Sequence, residues 1–569
     1  MAYDDVILRM GEFGRYQRRI YLLLCLPAII CAFHKMGGVF LGSKPDTRCL
    51  LPVESQSNAT FILPENYVNV SYPMEETIIG VKKIKPSQCK MYDINIPPSV
   101  TTLDQYALFA ANNPRNVVIP CDTFVYDKSR FTRTVVTQWN LVCDESWLVS
   151  FGDSLFMVGV MLGSIIFGYL SDKYGRRPIF FMSLVIQLVS GTVVGLAPNF
   201  ITYVIFRAII GSTTSGVFLV AYVIALEMVG PKKRLIAGVG CQLFFTFGFI
   251  LTAGFAYFIR DWQMLQIALT LPNILFLAYW WFIPESARWL LTKGQTKAAK
   301  ELLQKASKEN GIEIMDETLE VLLHDGNEGS TPDVNEPSLI DLFRYPNLRR
   351  KSFLLFFNWF INSGAYYGLS WASSKLSDNE FVTFALSGAV EVPAYLFLIF
   401  TLNKWGRKVI LCGCMIASGV FLVATPLVPA GLDWLTITFV MIAKFAITAS
   451  YGAIYVFTAE QFPTVVRNVG LGASSTFARV GGIIAPFINH LDEIWFPLPN
   501  LIYGGAVLFA GLLSLLLPET LNKKLPESIQ DGEQFGMKKK KQKKIKKVLD
   551  LNDISLKSEK TKENGIYEK

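Results

Sequence analysis

Twelve stretches of this chain are each apolar for about the length needed to cross a lipid bilayer, and that count leaves few folds open. A helix rising 1.5 Å per residue spans the hydrocarbon layer with roughly 20 apolar residues. The stretches are 21–41, 147–170, 179–196, 203–226, 235–259, 265–283, 352–371, 381–402, 409–427, 435–457, 469–488 and 501–517. They carry much of the 51% hydrophobic content and the mean hydropathy of +0.35. Backbone groups in lipid must bond among themselves, so apolar runs of this length imply helices. The expected fold is an all-α membrane protein with twelve transmembrane helices.

The loops set the orientation, because Lys and Arg concentrate on the cytoplasmic side. Arg15, Arg18 and Arg19 precede the first run, and Lys173, Arg176 and Arg177 follow the second. Lys232, Lys233 and Arg234 follow the fourth, Arg349, Arg350 and Lys351 precede the seventh, and Lys404, Arg407 and Lys408 follow the eighth. All fall on one side when the N-terminus is inside. A multi-pass protein of the plasma membrane with both termini cytoplasmic is therefore expected. The net charge of +8 reflects this topology and the basic stretch 538–547, and no nucleic-acid site is read in it. That stretch is a solvated charge run, with attraction to anionic lipid headgroups as a second reading.

Segment 42–146 then lies outside. Asn58 and Asn69 head glycosylation patterns, Asn58-Ala-Thr60 and Asn69-Val-Ser71. Cys49, Cys89, Cys121 and Cys143 suggest two disulfides, with three connectivities open. The other cysteines, Cys25, Cys31, Cys241, Cys412 and Cys414, fall in apolar runs and read as small fillers. Run 21–41 is long, follows charged residues and lacks a small-residue cleavage site, so it reads as a span and not as a cleaved signal.

Three patterns occur twice. Ser171-Asp-Lys-Tyr-Gly-Arg-Arg177 is matched by Leu402-Asn-Lys-Trp-Gly-Arg-Lys408, Glu227 with Arg234 by Glu460 with Arg467, and Pro284-Glu-Ser by Pro518-Glu-Thr. The offsets are 231 (407 − 176), 233 (467 − 234) and 234 (518 − 284). Near-constant spacing means a duplicated six-helix unit. The expected organisation is an N-terminal segment 1–20, a six-helix bundle 21–283 that includes the loop 42–146, a central loop 284–351, a second bundle 352–517 and a tail 518–569. Within the central loop, 296–324 reads as short amphipathic helices and 326–338 as a linker. Two such halves suit alternating access to a site near the bilayer midplane. Asp172, Arg176, Arg177, Glu227, Arg234, Arg407, Glu460 and Arg467 are expected to clamp the inner mouth as ion pairs, or else only to set topology. Asn403 replaces the acid in the second copy, so a clamp there should be weaker.

These residues resemble a known family. Gly168-Tyr-Leu-Ser-Asp-Lys-Tyr-Gly-Arg-Arg-Pro178 is similar to the loop signature of the major facilitator superfamily. Gly11-Glu-Phe-Gly14, Pro284-Glu-Ser-Ala-Arg-Trp-Leu290 and Ala459-Glu-Gln-Phe-Pro-Thr-Val-Val-Arg-Asn468 resemble the organic cation, carnitine and organic anion transporter family, solute carrier family 22. Lys444-Phe-Ala-Ile-Thr-Ala-Ser-Tyr451 brings the chain nearest the organic cation/carnitine branch. The resemblance runs from about Gly11 to Gly536. It implies two pseudo-symmetric bundles, a large disulfide-bonded outer loop and a transported small organic ion.

An unpaired charge at a helix centre costs about 2.5–3.5 kcal/mol, so it has a partner or a task. Glu391, Lys444, Arg479 and Arg207 are such charges, and Arg207 reads first as structural packing. By resemblance, Glu391 matches an acidic position of the cation and carnitine members, whereas Arg479 matches an arginine of the carnitine and anion members. An acid with an arginine suits a zwitterion; the alternative is a structural ion-pair network. Aromatic residues add recognition, because ring faces attract organic cations. Trp359, Tyr366, Tyr367 and Trp371 lie along run seven, and Phe218 with Tyr222 and Tyr451 with Tyr455 are four apart on one helix face. By resemblance, Phe218, Tyr222, Trp359, Tyr366, Tyr367, Tyr451 and Tyr455 with Gln242, Glu391 and Arg479 make the expected substrate site. Packing and lipid contact are the alternative for each ring alone.

No G-x-x-x-x-G-K-[ST] loop occurs, so the chain does not read as an ATP-driven pump, and no cofactor, metal or catalytic residue is expected. The membrane potential suffices to drive a cation, at about 2.3 kcal/mol per charge per 100 mV. Sodium or proton coupling stays open; His34 is the one histidine in a position to carry a proton, and its first reading is structural. The expected function is alternating-access transport of organic cations or zwitterions such as carnitine-like quaternary amines. An organic anion exchanger is the alternative, and a non-transporting receptor on the same fold a third.

Overall fold

The computed structural model describes residues 2–56, 58–76, 84–113, 117–230, 233–312, 340–429 and 431–537. The basic stretch 538–547, the linker 326–338 and all of 313–324 lie outside the described residues. Twelve long helical segments follow one another. They are α1 (Arg15–Leu41), α2 (Trp147–Tyr174), α3 (Arg176–Gly195), α4 (Phe200–Glu227), α5 (Arg234–Phe258) and α6 (Trp262–Trp281). The second six are α7 (Pro346–Ala372), α8 (Glu380–Trp405), α9 (Arg407–Leu427), α10 (Asp433–Gln461), α11 (Arg467–His490) and α12 (Leu498–Ser514).

Among the described residues, ten helical segments are long and apolar enough to cross a membrane. The two that fall short do so for different reasons. α7 is long, but it starts with Arg349, Arg350 and Lys351 and buries Asn358 and Asn362. α12 is apolar throughout but has only 17 residues. α1 is interrupted at Leu26, just before Pro27, whose ring removes a backbone donor. α6 is interrupted likewise around Pro272.

Lipid offers no hydrophobic incentive for helices to meet, so close backbone approach does the work. In the first half α2 lies against α4, where a Cβ on Gly159 would collide with Ala208 O and one on Gly163 with Ser212 O. In the second half α7 lies against α11 in the same manner, with Gly481 facing Phe360 O and Gly364 facing Gly481. The halves touch through α2 with α11 and α5 with α8. At the first seam Ser154 Oγ donates to Ile483 O at 2.7 Å.

The segment between α1 and α2 departs from a purely helical expectation. Its described residues hold six short strands: β1 (Thr47–Cys49), β2 (Met74–Glu76), β3 (Ile84–Pro86), β4 (Lys90–Tyr92), β5 (Val118–Pro120) and β6 (Phe124–Tyr126). They pair antiparallel as β1 with β6, β2 with β3 and β4 with β5. Cys49 is bonded to Cys121 and Cys89 to Cys143, one of the three connectivities the sequence leaves open. The buried Arg48 pairs with Glu54 at 2.7 Å and anchors this cap.

The glycine contacts give a test confined to α11. Gly481→Leu forces a side chain into the α7 backbone, and overpacking of this kind costs about 1–3 kcal/mol. Gly472→Leu, at a position with nothing within 4 Å, is the control. In detergent, Gly481→Leu lowers the melting temperature and Gly472→Leu leaves it unchanged; equal effects would remove the close-packing account.

Candidate substrate site

α8 carries Glu391 into the centre of the second half, where its side chain is fully buried. Its partner is Lys444 of α10, at 2.9 Å. Lys444 Nζ also donates to Ser370 Oγ of α7 at 2.5 Å, and Thr246 Oγ1 of α5 donates to Glu391 Oε2 at 2.8 Å. The last bond crosses from one half to the other. Glu391 is thus a paired group inside the protein. Its counter-ion is Lys444 and not Arg479, so the two residues whose charges suggest a zwitterion pocket are not each other's partner.

The rings gather around this pair. Tyr366 holds Lys444 Nζ 3.7 Å from its ring centroid and stacks on Tyr451 at 5.4 Å. Tyr367 is 5.1 Å from Tyr366, and Trp359 is 4.4 Å from Tyr455 and 6.2 Å from Tyr451. Trp359 is buried and donates to Thr458 Oγ1, whereas Tyr455 is 41% exposed, so of this group Tyr455 offers the open ring face. In the first half Phe218 stacks on Tyr222 at 6.2 Å and meets Phe245 at 6.1 Å. Gln242 is half-buried on α5, one turn before Thr246.

Arg479 of α11 bonds to Ser475 Oγ at 2.6 Å and lies beside the Tyr455 and Tyr451 hydroxyls. Its Nε has no hydrogen-bond partner. Sequence reasoning missed Lys35 of α1, whose Nζ sits 4.7 Å from the Tyr367 centroid and 5.9 Å from that of Phe245. It links rings of the two halves. The signal was present, since Lys35 is a charge inside run 21–41. Thr246, Ser370 and Phe249 were also missed, and as neutral residues in apolar runs they gave no signal.

The motif residues at the end where α1 begins and α12 finishes form ion pairs different from those the spacing suggests. Arg176 pairs with Asp172 and, at 3.5 Å, with Glu227. Arg407 pairs with Glu460 at 3.1 Å. Arg234 instead meets Asp4 at 2.6 Å, Arg467 donates to Thr464 Oγ1, and Arg177 donates to Trp280 O while its guanidinium lies 4.4 Å from the Trp280 ring centroid. The seven-residue spacing of each Glu and Arg places them on either side of a turn, so neighbouring loops supply the partners. Each of these pairs lies within one half. Among described residues, the ion pairs joining the halves lie at the opposite end: Lys44 with Glu493 at 2.7 Å, and Arg130 with Glu380 at 3.1 Å and Asp378 at 3.8 Å.

Two carboxylates cap the turns of the repeat. Glu285 accepts the N–H groups of Arg176 and Arg177, and Glu519 those of Arg407 and Lys408. Burial pushes the Glu285 carboxyl above its usual range despite those donors. Burial opposes Glu519 as well, but the N–H groups of Leu521, Thr520, Arg407 and Lys408 hold it below.

Comparison with known proteins adds the lineage. The model of the sugar (and other) transporter family matches residues 97–531. A Drosophila melanogaster protein described as organic cation transporter protein is 55% identical over 543 residues, covering 95% of this chain and 96% of that one. Mouse organic cation/carnitine transporter 2 is 35% identical over 538 residues, covering 93% of each. The xylose transporter XylE from E. coli, 16% identical, superposes with a TM-score of 0.57 over 90% of this chain and 100% of that one, which establishes the fold. The chain therefore belongs to the sugar (and other) transporter family of the major facilitator superfamily, beside the organic cation transporters of solute carrier family 22.

Proposed function

We propose that this protein carries small organic cations and zwitterionic amines across the plasma membrane by alternating access, with the capped end outside and both termini in the cytosol. The ring cluster around the Glu391–Lys444 pair carries this reading. Rings at the centre of a membrane protein, one of them open, give a quaternary ammonium group a favourable surface without a full negative charge. Phe218, Tyr222 and Gln242 line it from one half, and Trp359, Tyr366, Tyr367, Tyr451, Tyr455 and Arg479 from the other. The half-exposed Tyr455 and the unpartnered Arg479 Nε favour a substrate with an ammonium at one end and a carboxylate at the other. The relatives described as organic cation and carnitine transporters agree with both substrate types.

The second reading, organic anion exchange, has one observation in its favour. Lys35, Lys444 and Arg479 approach the rings, and Glu391 balances only Lys444. The glycan acceptors Asn58 and Asn69 lie in the cap, on the side assigned to the exterior. No resident cofactor is part of this reading, and the basic tail is assigned to the cytosolic face beside anionic headgroups.

Uptake by oocytes separates the substrates. Labelled tetraethylammonium and carnitine enter saturably, and a labelled dicarboxylate does not. A charged hydrogen bond contributes about 1.5–3 kcal/mol, so Arg479→Gln raises the KM for carnitine at least tenfold. It leaves that for tetraethylammonium within about twofold, since no carboxylate is lost there. Dicarboxylate uptake without either amine would replace this reading with the anion exchanger.

The buried pair yields a separate expectation. Removing one member of a buried ion pair costs about 3–5 kcal/mol because the other is stranded. Glu391→Gln therefore lowers surface expression, and adding Lys444→Gln restores it. Full surface expression of Glu391→Gln with lost tetraethylammonium uptake would mean instead that the carboxylate meets the substrate directly.

A further inference from the structure

Among the described residues, two charges deep in the spans have no carboxylate partner. Arg479 is held by Ser475 Oγ at 2.6 Å. The ammonium of Lys35 on α1 faces rings: its Nζ lies 4.7 Å from the Tyr367 centroid and 5.9 Å from that of Phe245. The other deep charges are matched, Arg207 with Asp153 at 3.4 Å and Lys444 with Glu391 at 2.9 Å. A charge left unpaired at such depth is costly, so it has a task.

The neighbours of Lys35 fix its backbone and leave its tip free. Trp371 of α7 donates its indole N–H to Lys35 O at 3.3 Å and stacks on Tyr367 at 5.6 Å. A Cβ on Gly482 of α11 would meet the Tyr367 ring at 3.4 Å, so α11 backs that ring. The lysine stem has four carbons, and the half-buried side chain can swing off the ring without moving the helix. Lys35 stands six residues before the end of α1 (41 − 35), about 9 Å below the capped end at 1.5 Å per residue. Trp371, one turn from Tyr367, lines a cleft of about 1280 Å³ beneath the cap. The contact therefore lies between that cleft and the rings around Glu391 and Lys444. Adjacent tyrosines thus hold one lysine each. Glu391 neutralises Lys444 on Tyr366, whereas no described carboxylate neutralises Lys35 on Tyr367.

We infer that Lys35 is a specificity-determining residue of the ring-lined site: in the empty site its ammonium occupies the Tyr367 face as a tethered stand-in for the substrate's, and an arriving organic cation displaces it. The inference rests on the cation reading above and deepens it. A ring face holds one cation at a time, so substrate and Lys35 compete for it. The displaced ammonium keeps its charge and stays on its stem within the site. A substrate with no negative group then meets an uncompensated like charge. A zwitterion brings the carboxylate that balances it. A bis-quaternary amine adds a second positive charge and is refused. Lys35 thus ranks substrates in the order zwitterion, monocation, dication. The rings alone do not, because a ring face attracts the ammonium of all three.

The test measures equilibrium binding to the purified full chain in nanodiscs. The labelled probes are carnitine, tetraethylammonium and hexamethonium, a bis-quaternary amine. The wild-type protein binds carnitine most tightly and hexamethonium not measurably. Lys35→Met, close in length and uncharged, tightens tetraethylammonium binding about tenfold and gains hexamethonium binding. A gain of this kind does not arise from damaged folding. Lys35→Arg, still charged, keeps the wild-type order. Unchanged or weaker tetraethylammonium binding in Lys35→Met overturns the inference, as does a Lys35→Arg protein that behaves like Lys35→Met. If Lys35→Met binds none of the three, Lys35→Gln is judged by the same outcomes, and loss of all binding in both overturns the inference, which requires a gain. Wild-type protein that binds neither carnitine nor tetraethylammonium is a different result: it removes the cation reading, and this inference with it.

Discussion

A charge carried into a layer without water has to find its partner inside the protein, and the centre of this molecule is arranged around that requirement. Glu391, Lys444, Ser370 and Thr246 form one connected group drawn from α8, α10, α7 and α5. Three of those helices belong to the second half and the fourth to the first. The group fixes how the second half packs around its own middle and gives the first half a polar contact with it. The rings then have a defined place. Tyr366 lies over Lys444, Tyr451 stacks on Tyr366, and Trp359 and Tyr455 follow from Tyr451. A buried ion pair of this sort is poor evidence of extra stability, but it is specific, because a shift of any of the four helices strands a charge.

The duplicated turns obey a related constraint. The first residues of a helix leave N–H groups without partners, and α3 and α9 begin immediately after α2 and α8 end. In each case a glycine with positive φ makes the turn, Gly175 at 115° and Gly406 at 98°. In each case a carboxylate from the far end of the same half fills the gap, Glu285 and Glu519. A Cβ on either glycine would lie 2.6 Å from that carboxylate. The requirement thus falls on one glycine and one acid per half, and these are the positions where the repeat stays readable. Asp172 adds an ion pair in the first copy that Asn403, having no charge, does not form in the second.

The helices were legible because the bilayer imposes one length and one polarity on each. Trp147 opens α2 where apolar sequence begins, and Leu41 closes α1 where it ends. The six strands of the cap were not legible, since three-residue strands carry no periodicity. Ion-pair partners were legible only as a set of charges. Glu227 and Arg234 share a spacing with Glu460 and Arg467, yet Glu227 meets Arg176 and Glu460 meets Arg407, because the contact is between loops and spacing along one loop does not report it. Glu391 and Lys444 stood out as charges in apolar runs, whereas their pairing needed the fold to bring residues 53 apart (444 − 391) together.

The two ends of the molecule differ in the kind of contact that closes them, and the difference bears on which end can yield. At the capped end the pairs joining the halves are partly exposed, with Lys44 and Glu493 at 37% each and Arg130 at 45%. Exposed pairs are each worth about 0–1 kcal/mol. They align the halves more than they bind them. Beneath them Phe40 of the first half packs on Phe384 of the second at 4.8 Å, and Phe249 on Phe384 at 4.5 Å, in contacts that exclude water. At the other end the enclosed pairs, Arg176 with Glu227 and Arg407 with Glu460, hold each half together internally. Enclosed pairs therefore lie within the halves and exposed ones between them. Separating the halves at the capped end would break only exposed pairs, each worth little in water, and would strand no enclosed charge.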